Sequence, residues 1–198
     1  MRIRNFAVWG GLGAAVAVPI VAAAASPLLA WRSPVYILGG FAGVGAMALL
    51  LIQPLLAMGI LPGLPALRAR RLHRWLGAML TGLVIVHVAA LWVTSPPDVI
   101  DALTFSSPTP FSVWGVVAMW AVFATALLAV FRRRLSPRTW RRAHMGLAAV
   151  MVSGSVVHAV LIEGTMETVS KVILCLLAGA ATLIAIFGPH PFGARAQR

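Results

Sequence analysis

The sequence has few charged residues for its length, and this scarcity decides the class of protein. Only 10% of its 198 residues are charged, whereas 61% are hydrophobic and the mean hydropathy is +0.95. A soluble globular domain carries about 25% charged residues. The composition therefore excludes a soluble domain and indicates an integral membrane protein.

Cysteine and acidic residues are also nearly absent. The single cysteine, Cys175, lies in an apolar run, so neither a disulfide framework nor a cysteine-based metal site can be built from it. The four acidic residues are Asp98, Asp101, Glu163 and Glu167. All four lie between apolar runs, which disfavours a proton channel or transporter that relays protons through acids inside the membrane.

Six apolar runs predict an all-α fold, an integral membrane six-helix bundle that forms a single domain over residues 1–198. A helix needs about 20 residues to cross about 30 Å of hydrocarbon, and an open sheet is excluded because lipid cannot satisfy its edges. Pro19 and Pro54 lie inside predicted spans, where membrane helices tolerate kinks. The predicted spans are residues about 7–30, 35–59, 72–94, 112–131, 141–162 and 168–187.

Basic residues lie almost entirely on one side of the predicted bundle. That side holds Arg2, Arg4, Arg68, Arg70, Arg71, Arg74, Arg132, Arg133, Arg134, Arg138, Arg141, Arg142, Arg195 and Arg198. Only Arg32 and Lys171 lie on the other side, with all four acids. The positive-inside rule then predicts that both termini are cytoplasmic, in a multi-pass protein of the cell (inner) membrane. The net charge of +12 thus reflects orientation among lipids, and no nucleic acid partner is expected.

Residues 1–26 also have the basic head, apolar run and small residues of a signal peptide. The apolar run is long for a signal peptide, so we expect an uncleaved first helix. Its loss would leave the third and fifth spans unchanged.

Four of the five histidines repeat the same spacing on two spans. His73 and His87 in the third span are fourteen residues apart, as are His144 and His158 in the fifth. Fourteen residues advance a helix by about 21 Å and return within about 40° of the same face. Because both spans run in the same direction, we predict a first level of His73 with His144 and a second level of His87 with His158. The fifth histidine, His190, is in the tail "GPHPFG" and is expected to be exposed.

Facing pairs of intramembrane histidines have several possible roles. A single one often forms a hydrogen bond to a neighbouring helix, and imidazole also binds zinc or copper. Zinc, however, takes three or four protein ligands, whereas haem iron needs two opposed axial ligands. We therefore favour one bis-histidine haem at each level, with Gly77, Ala148 and Gly154 leaving space for the porphyrins.

Two further sets of residues have both a functional and an ordinary interpretation. Leu80 and Met151 lie midway between the levels, either separating two porphyrins or serving as core residues. Arg74 is a candidate to pair with a haem propionate, and Arg141 and Arg142 are weaker candidates. Alternatively, these arginines are positive-inside charges that extend to water.

The segments "LHRWLG" with His87 and "AHMGLAAVMVSGSVVH" resemble the ferric reductase-like transmembrane domain. That superfamily includes ferric reductases, NADPH oxidases and the haem subunit of a periplasmic methionine sulfoxide reductase system. The resemblance covers all six spans. It implies two b-type haems, ligated by His73/His144 and His87/His158, that carry electrons outward from the cytoplasmic side.

The resemblance also implies partners. About ten residues follow the sixth span, and no Gly-rich phosphate-binding loop lies outside the spans, so a flavin is expected only on a separate protein. The donor is then a cytosolic flavoprotein reductase or membrane quinol, and the chain is the haem subunit of an oxidoreductase. The acceptor is a ferric chelate, oxygen or a reductase subunit. The alternative is delivery of electrons to a periplasmic methionine sulfoxide reductase, although His73 before "RWLG" favours the ferric reductase pattern.

Overall fold

The computed structural model of this chain describes residues 2–188 and is helical over most of that range. No strand occurs between residues 2 and 188, so the predicted all-α fold is confirmed. His190, Arg195 and Arg198 lie outside the described residues. The helices are α1 (Arg2–Ala24), α2 (Pro34–Met58), α3 (Ala66–Thr94), α4 (Pro96–Leu103), α5 (Pro110–Val130), α6 (Pro137–Leu161) and α7 (Thr168–Phe187).

Six of these helices are long and apolar enough to cross a membrane, and α4 is the exception. The predicted number of spans is therefore confirmed, and the chain is a multi-pass membrane protein. Pro19 and Pro54 lie inside α1 and α2, as the sequence predicted.

Four helix boundaries differ from the prediction by four residues or more, and one of them is the start of α1, at Arg2 rather than near residue 7. Helix α3 begins at Ala66 rather than near residue 72, and α6 begins at Pro137 rather than near 141. Arginine and alanine are good helix formers, so both helices extend beyond their apolar runs to the preceding proline or serine cap. Helix α1 ends at Ala24 rather than near residue 30, because Ser26 caps a separate 3-10 turn, Pro27–Leu29.

The joint between α3 and α5, between the third and fourth predicted spans, contains a further short helix, α4. This helix begins with proline in its first turn and carries Asp98 there. Proline suits the first turn of a helix because its missing N–H would have no partner there, and an acid near the N-terminus complements the helix dipole. Val99 on this helix is buried.

The long helices pack as two hairpins joined by α7. Helix α2 packs along α3, α5 packs along α6, and α7 contacts both α2 and α6, while α1 lies outside against α7 and α2. Helices α3 and α6 are not among the closely packed helix pairs of residues 2–188. The buried core between the hairpins includes Leu50, Leu80, Met151 and Leu174. The two histidine-bearing helices therefore face each other across side chains rather than touching backbone to backbone.

Candidate functional site

The first level brings together one histidine from each hairpin. The imidazole rings of His73 on α3 and His144 on α6 have centroids 6.1 Å apart, with planes inclined at 71°. A metal–imidazole bond is about 2 Å long, so two rings sharing one metal ion have centres about 6 Å apart. The observed separation leaves room for a metal ion between the rings, but not for a third side chain.

The second level uses the other ends of the same two helices. His87 lies on α3 and His158 lies in the last turn of α6. Each lies fourteen residues after the first-level histidine of the same helix, which places it about 21 Å further along that helix.

Three of the four histidines are oriented by main-chain carbonyls of neighbouring helices. Nδ1 of His73 lies 3.1 Å from the carbonyl oxygen of Gln53, and Nδ1 of His87 lies 2.7 Å from that of Gly39. Nδ1 of His158 lies 2.9 Å from the carbonyl oxygen of Phe111. A carbonyl only accepts, so Nδ1 carries the proton and Nε2 keeps its lone pair. This is the tautomer and orientation that metal-bound histidines have.

His144 is the exception among the four. Its Nδ1 is buried and has no hydrogen-bond partner. Its ring instead stacks on Trp140, one helical turn earlier on α6, at a centroid distance of 5.1 Å and an interplanar angle of 19°. A buried polar atom without a partner is uncommon, and among the four histidines only this Nδ1 has no helix carbonyl to hold it.

Two glycines allow the second-level histidines to reach their carbonyls. A Cβ atom at Gly43 would lie 3.1 Å from Nδ1 of His87, and one at Gly115 would lie 2.7 Å from Nδ1 of His158. Each glycine follows the accepting carbonyl, that of Gly39 or Phe111, by one helical turn. Both hairpins therefore use the same device, in which the glycine removes the side chain that would block the imidazole.

A buried amide without a partner lies beside the first level. Both polar atoms of the Gln53 side chain are buried and make no hydrogen bond, and its Nε2 would lie 3.4 Å from a Cβ at Gly77. The carbonyl of the same residue binds His73. Unsatisfied buried amides are costly, so this amide is a second group that fits a polar ligand at the first level.

Taken together, these groups fit haem better than a bare metal ion. No cluster of three or more His, Cys, Asp or Glu side chains occurs within residues 2–188, and zinc needs at least three protein ligands. The residues present fit haem, which takes two histidine ligands, and three of the four imidazoles keep the Nε2 lone pair for that purpose.

The remaining predicted residues are placed as follows. Arg74 is exposed on α3 next to His73, and Arg141 and Arg142 are exposed on α6. Leu80 and Met151 are both buried in the common core, at the positions midway between the histidines. Exposure of the arginines is compatible with either of their two interpretations.

The interpretation of Gly154 as space for a porphyrin is wrong. A Cβ at Gly154 would lie 3.0 Å from the carbonyl oxygen of Trp114 and 3.2 Å from Cβ of Ala118. Both residues are on α5, so Gly154 permits close packing within the second hairpin instead. Gly77 faces the Gln53 side chain of α2.

Sequence reasoning missed several groups at the site. The predicted site did not include Gln53, Gly43, Gly115 or the stacking role of Trp140. A partial sequence signal exists for the two glycines. Gly43 and Gly115 lie in the first half of the first helix of their hairpins, and the second-level histidine lies near the end of the second helix, so both are at the same end of the hairpin. No sequence signal identifies which carbonyl an imidazole binds.

Comparison with known proteins gives one match. The family model described as the ferric reductase-like transmembrane component matches residues 40–155. That range includes His73, His87 and His144 and ends three residues before His158. No curated protein and no solved structure matches the chain.

Proposed function

The chain belongs to the family of ferric reductase-like transmembrane components, and from this premise we propose that it carries electrons across a membrane through two haems. His73 and His144 would hold one haem, and His87 and His158 the other. The observation that carries the proposal is the orientation of three Nδ1–H groups onto helix carbonyls, which leaves each Nε2 free as an axial ligand.

Each haem, when bound, would supply a one-electron iron couple, and two histidines holding each iron would suit electron transfer rather than binding of substrate at the metal. The protein's own contribution is to hold the imidazoles. Hydrogen bonds of 2.7 Å and 2.9 Å fix the rings of His87 and His158, and stacking on Trp140 fixes that of His144. Rings held in this way need little rearrangement when the iron changes oxidation state.

Residues between and beside the two levels have supporting roles in this proposal. Leu80 and Met151 exclude water from the space between the levels, since both are buried in the apolar core. Arg74 is proposed to bind a propionate of the haem at the first level, because its guanidinium matches carboxylate geometry and it directly follows His73.

The proposed direction of electron flow follows from the distribution of basic residues. With the arginine-rich joints in the cytoplasm, the first level faces the donor and the second faces the acceptor. The proposed donor is a cytosolic flavoprotein or membrane quinol. The proposed acceptor is an extracytoplasmic ferric chelate, oxygen or reductase subunit.

A relay of protons through the histidines is less well supported. A relay needs each imidazole to exchange protons on both nitrogens, whereas three of the four hold one N–H against a helix carbonyl. This geometry restrains the ring rotation that a relay requires.

A dithionite-reduced minus oxidised spectrum of the purified protein tests the proposal. We expect b-type haem bands with two haems per chain. The variant His87→Ala should retain one haem, because its substitution removes an axial ligand from the second level only. Absence of haem in protein from haem-replete cells would refute the proposal, and equal loss of both haems in His87→Ala would refute the assigned pairs.

A further inference from the structure

Lys171 is a buried cation on the inward face of a membrane helix. It lies in the first turn of α7 and is 6% exposed. The same face of α7 carries Leu174, Cys175 and Ala178, which are 2% exposed or less and belong to the common core. Lysine is almost never fully buried unless it is paired, and ionisable groups inside membrane proteins usually have a functional partner.

The position of this ammonium relates it to the second level. Nζ of Lys171 donates a hydrogen bond of 2.9 Å to the carbonyl oxygen of Ile162. The N–H of Ile162 in turn donates to the carbonyl of His158, at 3.1 Å. Lys171 therefore lies one helical turn beyond a proposed axial ligand, at the end of α6.

The ammonium is incompletely matched by the protein around it. It has three N–H donors, and the carbonyl of Ile162 accepts from one of them. The carboxylate of Glu167, one turn earlier, interacts with Lys171 electrostatically, but its oxygens accept hydrogen bonds from the N–H groups of Val169 and Ser170 at 2.7 Å each. An anionic group from elsewhere would complete the surroundings of Lys171.

Other basic residues at this end do not offer the same geometry. Arg32 is exposed and lies over the ring of Tyr36, 4.8 Å from its centroid. Among residues 2–188, Lys171 is the basic side chain that is buried. A cleft of about 660 Å³ lined by Lys171, Glu163 and Thr165 lies above it, between the end of α1 and the loop before α7.

We propose that Lys171 is the cation that pairs with a propionate carboxylate of the haem at the second level. This inference rests on the proposed function, because it requires a haem between His87 and His158. Reduction adds one negative charge to the haem, and a nearby ammonium favours that state. Lys171 should therefore raise the reduction potential of the second-level haem and leave the first-level haem unaffected.

Spectroscopic redox titration of two variants of the full-length protein tests this role. Lys171→Gln keeps a donor for the carbonyl of Ile162 but removes the charge, whereas Lys171→Arg keeps the charge. We expect Lys171→Gln to lower the midpoint potential of the second-level haem, or to lose that haem, with the first-level potential unchanged. Lys171→Arg should retain the haem and stay near the wild-type potential. The His87→Ala variant identifies which wave belongs to which level.

Other outcomes would overturn the inference in distinguishable ways. If both variants keep wild-type haem content and potentials, Lys171 only caps α6 or binds a soluble anion in the cleft. If both haems shift equally in Lys171→Gln, or if Lys171→Arg also loses the second-level haem, the effect is on the fold. If the wild-type protein contains no haem, the proposed function itself fails.

Discussion

Main-chain carbonyls orient three of the four histidines of this site. In soluble metal proteins, carboxylates often have this role. The chain has four acidic residues in all, and they lie in the joints or in the short helix α4. A carboxylate inside the membrane would add a charge that is costly to bury. A helix carbonyl accepts the Nδ1 proton without that charge, but only if the imidazole can approach the helix backbone closely.

Gly115 provides this approach for His158, and its substitution tests the idea. We expect Gly115→Ala to displace the imidazole, because the new Cβ would lie 2.7 Å from Nδ1 and 2.9 Å from Cε1 of His158. Haem content should fall from two per chain toward one, measured by a pyridine haemochrome assay. The control Gly82→Ala on α3 adds a methyl group with nothing within 4 Å, and it should keep both haems. Equal haem content in the two variants would contradict this account of Gly115.

Glycines also set how closely helices pack within each hairpin. Gly154 on α6 lies against Trp114 and Ala118 of α5, and Gly39 on α2 lies against Ala90 of α3, where an added Cβ would be 2.8 Å from that of Ala90. Small residues at such crossings let membrane helices approach closely. The hairpins are therefore tightly packed units, and the looser contact lies between them.

Gly154→Leu tests the packing of α5 against α6. Overpacking a tight interface destabilises by about 1–3 kcal/mol, so we expect a lower melting temperature in detergent. Gly146→Leu lies on the same helix and meets nothing within 4 Å. Gly146→Leu gains the same helix propensity as Gly154→Leu, so the Gly146→Leu variant should melt at the wild-type temperature or above. Matching melting temperatures for the two variants would show that Gly154 is not a packing position.

The cap of α7 predicts a pH dependence of stability. Glu167 accepts hydrogen bonds from the N–H of Ser170 and of Val169, and these lower the pKa of its carboxyl below the usual value. A carboxyl with a lowered pKa in the folded state stabilises the fold above its unfolded pKa, and this contribution disappears as the pH falls through the folded value. Glu167→Gln should therefore melt below the wild type at pH 7, with the difference shrinking as the pH falls through the lowered pKa of the folded state.

Glu163→Gln is the control for this measurement. Glu163 lies in the same loop, is exposed, and does not cap the helix. Its substitution should leave the melting temperature close to that of the wild type over the same pH range. A difference between Glu167→Gln and wild type that stays constant with pH would show that ionisation of Glu167 is not the cause.

Residues 2–188 contain six helices that could span a membrane, and with an even number we expect the two ends of this range on the same side. The arginine-rich joints lie on that side too, and we expect it to be cytoplasmic. A C-terminal alkaline phosphatase fusion should then be inactive and a C-terminal fluorescent protein bright. Phosphatase fused after Ser106, in the joint between α4 and α5, should be active. The reverse pattern would invert the proposed direction of electron flow.

The sequence by itself determined the number of spans and which two histidines share a face on each of α3 and α6. Apolar runs and their separators are local along the chain, and a spacing of fourteen residues fixes two positions on one helix face whatever the neighbours are. For this reason the all-α fold and the parallel arrangement of His73 with His144 followed without coordinates.

Only the tertiary structure decided which atoms meet across helices. These contacts depend on how each helix is rotated about its axis. The rotation of α5 sets the hydrogen bond from His158 to the carbonyl of Phe111. The rotations of α2 and α7 set the burial of the Gln53 amide without a partner and the burial of Lys171. For the same reason, the prediction from the sequence placed Gly154 beside a porphyrin, whereas it packs against α5. Hydropathy does not fix this rotation, because lipid and a neighbouring helix are almost equally apolar surroundings.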